Sequence, residues 1–247
     1  EAMTLKHATG GSRIPLVLVA GALAAWAVTV ERMRGMDAGP GTDLGGLGWY
    51  LGIWVTMTAA MMLPTTVPAV RHVARVARHA PTLLFTAAYL AVWTVYGLLA
   101  YGVYQLIVSL DLGRLAWDRD GPYAAGAAIV AAGLYELTPL KRRCLEHCRM
   151  GPDGGNAFRG GLVHGLDCVG CSGALMAVLF VLGVMSLFWM AVVAVVIFAE
   201  KVLPHGPRFA PAVGVALVVL GIWVAASPGT VPGLTEPMGS PPMQMGS

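Results

Sequence analysis

All four cysteines of the 247-residue chain lie between Cys144 and Cys171. The stretch runs Cys144-Leu145-Glu146-His147-Cys148, crosses a short polar loop, and resumes as His164-Gly165-Leu166-Asp167-Cys168-Val169-Gly170-Cys171. On helices, Cys144 and Cys148 would share one face, and His164, Cys168 and Cys171 another. Two such faces can converge on one point. Thiolates are soft donors that suit zinc, Cu(I) or an iron–sulfur cluster, and paired thiols can also do redox chemistry. Cys144, Cys148, Cys168 and Cys171 are therefore the candidate metal ligands, with His147 and His164 as further or alternative ligands. Asp167 is a weaker candidate. Cu(I) ranks first, Zn(II) second, and an iron–sulfur cluster behind both.

A membrane bundle must position these residues. Apolar residues make up 57% of the chain and charged residues 12%, against roughly 25% charged in soluble domains. A spanning helix needs about 20 apolar residues, which leaves room for six or seven spans and no sizeable soluble domain. The expected fold is an all-α polytopic membrane helix bundle over residues 14–226. It has seven transmembrane helices, or six if residues 161–203 cross only once. Residues 1–13 form a cytosolic N-terminal tail. Residues 227–247, rich in Pro, Gly and Met, form a disordered tail outside.

In chain order, Ile14 to Val30 reads as the first helix, since no small-residue cleavage site follows it. The second runs from about Trp49 to Ala69, and its Pro64 and Pro68 are expected to kink or end it. A basic loop from Arg71 to Pro81 precedes the third helix, about Thr82 to Val108. A loop from Asp111 to Gly121 leads to the fourth, about Pro122 to Leu140, which carries Glu136 inside its apolar run. As one helix, Gly161 to Leu203 would measure about 65 Å. It is therefore read as helices five and six, with a turn near Gly183 to Ser186. Phe209 to Ala226 is helix seven.

With the N-terminus inside, every Lys and Arg except Arg32, Arg34, Arg114 and Arg119 falls on the cytosolic side, as the positive-inside rule requires. The expected location is a bacterial inner membrane, with the C-terminus outside. The cysteines and histidines then lie on or near the cytosolic side, where thiols stay reduced and metal binding gains over structural disulfides. Depth poses a difficulty. At helical rise Cys168 stands about 10 Å and Cys171 about 15 Å beyond Gly161, whereas Cys144 and Cys148 continue helix four at the inner surface. The two pairs meet only if helix five starts late or breaks near Gly165, Gly170 or Gly173.

Three further residues could extend a metal path. Met57 and Met61 lie one turn apart on helix two, with Met62 beside them; thioethers bind Cu(I) but also pack well between helices. Met176, Met185 and Met190, and Met238, Met243 and Met245 in the tail, add to the thioether content. Glu136 is an acid deep in an apolar run, where ionisable groups mark an ion path or pair with a partner such as Lys141. Glu200-Lys201, at a helix end, reads as an interfacial pair.

The sequence resembles a bacterial family of predicted metal-binding integral membrane proteins of uncharacterised function. The resemblance rests on Trp54-Val55-Thr56-Met57-Thr58-Ala59-Ala60-Met61-Met62-Leu63-Pro64 and on Tyr135-Glu136-Leu137-Thr138-Pro139-Leu140-Lys141 with Cys144-Leu145 and Cys148-Arg149. It continues through Gly165, Cys168, Gly170, Cys171 and Leu175-Met176 to Glu200-Lys201. The family pattern carries a third cysteine and a tryptophan where this chain has Ser172 and Gly173, and more often a glutamine where it has Glu136. The resemblance implies metal binding and supplies no mechanism.

The expected function is transition-metal handling, transport or delivery through a cysteine thiolate site. Expected partners are membrane lipid, other membrane subunits and a metal donor or acceptor protein, and no nucleic acid. One alternative is a membrane oxidoreductase using Cys168 and Cys171 for thiol–disulfide or electron transfer. Another is an accessory subunit whose metal staples helices four and five. No nucleophile triad, phosphate loop or dinucleotide motif occurs, so the chain is not expected to be a hydrolase or an ATP-driven pump.

Overall fold

The computed structural model describes residues 2–34, 44–76, 79–109, 121–151, 156–183 and 186–231. Among them the fold is all-α, with eight helices and no strand. These are α1 (Ala2–Met33), α2 (Leu47–Val76), α3 (His79–Ser109), α4 (Gly121–Glu136), α5 (Pro139–Met150), α6 (Ala157–Leu182), α7 (Leu187–Val202) and α8 (Gly206–Ala226). Five of them, α1, α2, α3, α6 and α8, are long and apolar enough to cross a membrane, and α4 with α5 makes a bent sixth candidate. Among the described residues a seventh span is not shown: α7 has 16 residues, about 24 Å of helix. Large apolar side chains such as Leu16, Leu83, Leu99, Val195 and Val219 point outward, an arrangement suited to lipid rather than to water.

Helix four ends early. Leu137 and Thr138 donate to the carbonyls of Leu134 and Tyr135 in a tight turn. Thr138 then caps α5, its side chain accepting from the Lys141 amide, with Pro139 at the start of the new helix. A hydroxyl cap followed by Pro, which has no N–H to lose there, is a strong helix start. The chain bends by 64° at this point. The expected continuous helix to Leu140 is thereby corrected, and Cys144 and Cys148 belong to a separate helix.

The other boundaries have local causes. Asn156 caps α6 by accepting from the Phe158 amide, and Ser186 caps α7. Gly183, at a φ of 107° that disfavours side chains, ends α6. The expected turn between helices five and six therefore stands where it was read. α2 passes through Pro64 and Pro68 to Val76, so the first part of the expected basic loop is helical. Thr65 and Thr66 in that turn donate to the carbonyls of Met62 and Leu63, the kind of compensation that lets a membrane helix tolerate proline. The expected loop at Asp111–Gly121 lies outside the described residues apart from Gly121, as do Met185 and the tail from 232 to 247 with Met238, Met243 and Met245.

Two modes of packing hold the bundle. α4 lies against α8 through glycines: a Cβ added at Gly126 would come within 2.5 Å of the Gly221 carbonyl oxygen, and one at Gly133 within 2.7 Å of the Gly214 oxygen. Such small-residue contacts let backbones approach closely. α2, α3 and α6 instead pack large aromatics. Trp54 Nε1 donates to the Trp93 carbonyl at 2.8 Å, and the Tyr50 hydroxyl to the Gly97 carbonyl at 3.0 Å. α6 is unbroken, and its glycines serve as contact points: Gly161 meets the Phe85 carbonyl, Gly165 meets Val92, and Gly170 meets Cys144.

Candidate metal centre

The bend between α4 and α5 resolves the depth difficulty. It turns α5 against α6, so the break that brings the cysteines together lies before Cys144 and not at Gly165, Gly170 or Gly173. The Cys148 thiol interacts with both the Cys168 and the Cys171 thiols. Cys168 and Cys171 are wholly buried, and all four cysteines are free thiols. Cys171 Sγ lies 3.4 Å from the Cys168 carbonyl oxygen and 3.5 Å from the Ser172 hydroxyl.

Cys168 is the centre of this group. The Lys201 ammonium of α7 donates to its Sγ at 2.8 Å, and the Tyr89 hydroxyl of α3 lies 2.9 Å from it. Four helices therefore meet at one sulfur. Lys201 is 7% exposed, and a buried ammonium needs an anion beside it. Its position is fixed from behind by Arg149, whose guanidinium donates to the carbonyls of Glu200 and Lys201 at 2.8 Å each. Those carbonyls are among the unpaired ones at the end of α7, so one side chain caps α7 and ties it to α5.

Cys144 and His147 stand apart from this contact, whereas His164 lies within electrostatic reach of Cys168 and Lys201. Cys144 faces Gly170, where an added Cβ would come within 2.6 Å of its Sγ, and Asp167 and Lys141 are its charged neighbours. Beside it, the Tyr135 hydroxyl donates to the Gly170 carbonyl at 2.6 Å. His164 is buried between rings, 5.7 Å from the centroids of both Phe85 and Tyr89. His147 is exposed and faces Asp167. Met57 and Met61 are buried in the core cluster that also contains Cys168, Met62, Met176 and Met190. Among the described residues no three His, Cys, Asp or Glu side chains are grouped as a ready metal-binding set; around Cys168, Lys201 and Tyr89 take up part of the surrounding space.

Glu136 belongs to a second group. The Lys141 ammonium pairs with Glu136 and donates to Glu200 Oε2 at 2.9 Å, and all three side chains are buried. The expected interfacial pair Glu200-Lys201 is thus corrected. Both residues are buried, and they answer to different partners, because successive helical residues point about 100° apart. Sequence reasoning passed over Lys201 and Tyr89 as parts of the thiol site. Their only signal was a lysine at the end of, and a tyrosine within, runs apolar enough to be buried.

A family model described as PpoB2, copper chaperone, matches residues 51–224, which include every residue of both groups. No curated protein and no solved structure matches the chain.

Proposed function

The chain belongs to the PpoB2 copper chaperone family, and from that premise we propose that it carries Cu(I) as cargo in a membrane-embedded pocket formed by Cys148, Cys168 and Cys171. The observation that carries this reading is the buried contact of Lys201 with Cys168 beside two further thiols. Cu(I) prefers soft sulfur ligands and is stable with two or three of them. Two thiolates around a monovalent ion leave one net negative charge. Lys201 supplies the opposite charge where water cannot, and removing either partner of a buried pair is costly.

Zinc in a structural site takes four tetrahedral ligands. Here Cys144 is turned to Gly170, which leaves three thiols together and favours low-coordinate copper over a four-thiolate zinc site. Cys144 lies one turn before Cys148 on α5 and is more open than Cys168 or Cys171. It is the thiol a donor protein meets first, and copper passes inward from it by exchange between thiolates. Met57 and Met61 add soft donors in the same core. Arg142, Arg143, Arg149 and Arg159 flank the helices of the pocket, which favours its cytosolic side. Thiol deprotonation on loading releases protons, so copper affinity rises with pH.

The test is competition for Cu(I) between anaerobically purified protein and a chromophoric chelator. The wild type should take up a single equivalent, and Cys168→Ser and Cys148→Ser should each lose it while remaining folded. Wild type that takes no copper, or Cys168→Ser that takes it equally well, overturns the reading.

A further inference from the structure

Glu136, Lys141 and Glu200 form a charge group that carrying copper does not use. Their relative exposures are 3%, 0% and 1%. Two carboxylates face one ammonium, so the group as drawn from ordinary ionisation carries one uncompensated negative charge in the core. Both carboxylates engage Lys141 through Oε2, and neither Glu136 Oε1 nor Glu200 Oε1 has a hydrogen-bond partner. An unpaired buried carboxylate is costly, and an orphaned acceptor adds to that cost.

Among the described residues, neither carboxylate bonds a second cation. From α8 the group meets Gly214, whose added Cβ would lie 3.1 Å from Glu136 Cβ. On α5, Arg149 spends its guanidinium on backbone carbonyls. On α7, Lys201 is taken by Cys168, and the titratable thiols of α6 turn to Lys201 and Cys148. Tyr135, next to Glu136 on α4, donates to the Gly170 carbonyl. Both acids also sit in the last turn of their helices, α4 and α7, where the helix dipole disfavours negative charge.

We propose that Glu136, Lys141 and Glu200 form a buried proton-binding site, in which two carboxylates share one ammonium and hold one proton. The proton cancels the extra charge. Neither carboxylate bonds a thiol, and although Lys141 has Cys144 as a charged neighbour, Cys144 is not one of the three thiols of the copper pocket, so the proposal does not rest on that reading.

Infrared spectroscopy of the full chain in lipid vesicles tests it. At neutral pH the wild type should show the carbonyl band of a protonated carboxyl, shifted down in D2O and lost at alkaline pH. Glu136→Gln and Glu200→Gln each leave one carboxylate for one ammonium, and each should lose the band. A wild type without the band overturns the proposal, whether or not the variants fold. So does a band that persists in either folded variant, or one that Na+ removes at constant pH, which would assign the site to a metal cation.

Discussion

Glu200 and Lys201 are consecutive residues of α7, yet they serve two buried groups of opposite character. Lys201 faces sulfur, with Cys168 at 2.8 Å and the thiols of Cys148 and Cys171 beside it. Glu200 faces nitrogen, sharing the Lys141 ammonium with Glu136. Each group contains one lysine, and each lysine comes from a different helix, α5 or α7. The difference lies in what the anions can release. Carboxylates bind an ammonium or a proton and have little use for a soft metal, whereas thiolates can exchange an ammonium contact for a copper bond. On the proposed reading, one group stays closed and the other opens for cargo.

The comparison breaks first at Lys141. Lys141→Met leaves two buried carboxylates without a cation, and breaking such a pair costs about 3–5 kcal/mol. Thermal unfolding in detergent should show a large loss of stability, whereas Lys201→Gln, whose thiol partners can stay neutral, should lose much less. Equal losses would mean that the two groups are not different in kind.

Lys201→Gln should instead weaken copper. A hydrogen bond to a charged group contributes about 1.5–3 kcal/mol, so the Kd for Cu(I) should rise by about ten- to a hundredfold. Unchanged affinity would remove the counter-ion role. Tyr89→Phe deletes only the neutral contact at 2.9 Å. It should raise the Kd about fivefold, in line with about 1 kcal/mol for an ordinary hydrogen bond. The smallest equilibrium effect belongs to Cys144→Ser. Copper content at saturation should match the wild type, while transfer from a thiol-bound donor slows in stopped-flow mixing; loss of the bound copper itself would make Cys144 a ligand of the resting site.

Much of this architecture was legible in the sequence. The length of the apolar runs gave the helices, and Gly183 with Ser186 marked the turn between α6 and α7. The clustering of Cys144, Cys148, Cys168 and Cys171 pointed to soft-metal chemistry but left open whether they form one site or two, and the copper family match agrees with the soft donors. The break at Leu137–Thr138 was missed although Thr138-Pro139 is a cap-and-proline start signal, because the apolar run continues through Leu140. The prolines of α2 do not end the helix, because a membrane helix can compensate for them with threonines in the same turn. Pairing was the least legible. Composition places Glu136, Lys141, Glu200, Lys201 and Tyr89 near or within apolar runs, but which anion meets which cation depends on helix rotation and on the 64° bend, and neither is written in local sequence.

The most direct test of the central claim is X-ray absorption at the copper edge on protein loaded with Cu(I) under anaerobic conditions. Sulfur-only coordination by two or three ligands, reduced in number or lost in Cys168→Ser, is the expected result. A shell dominated by nitrogen or oxygen, or a sulfur shell unchanged in Cys168→Ser, would contradict it.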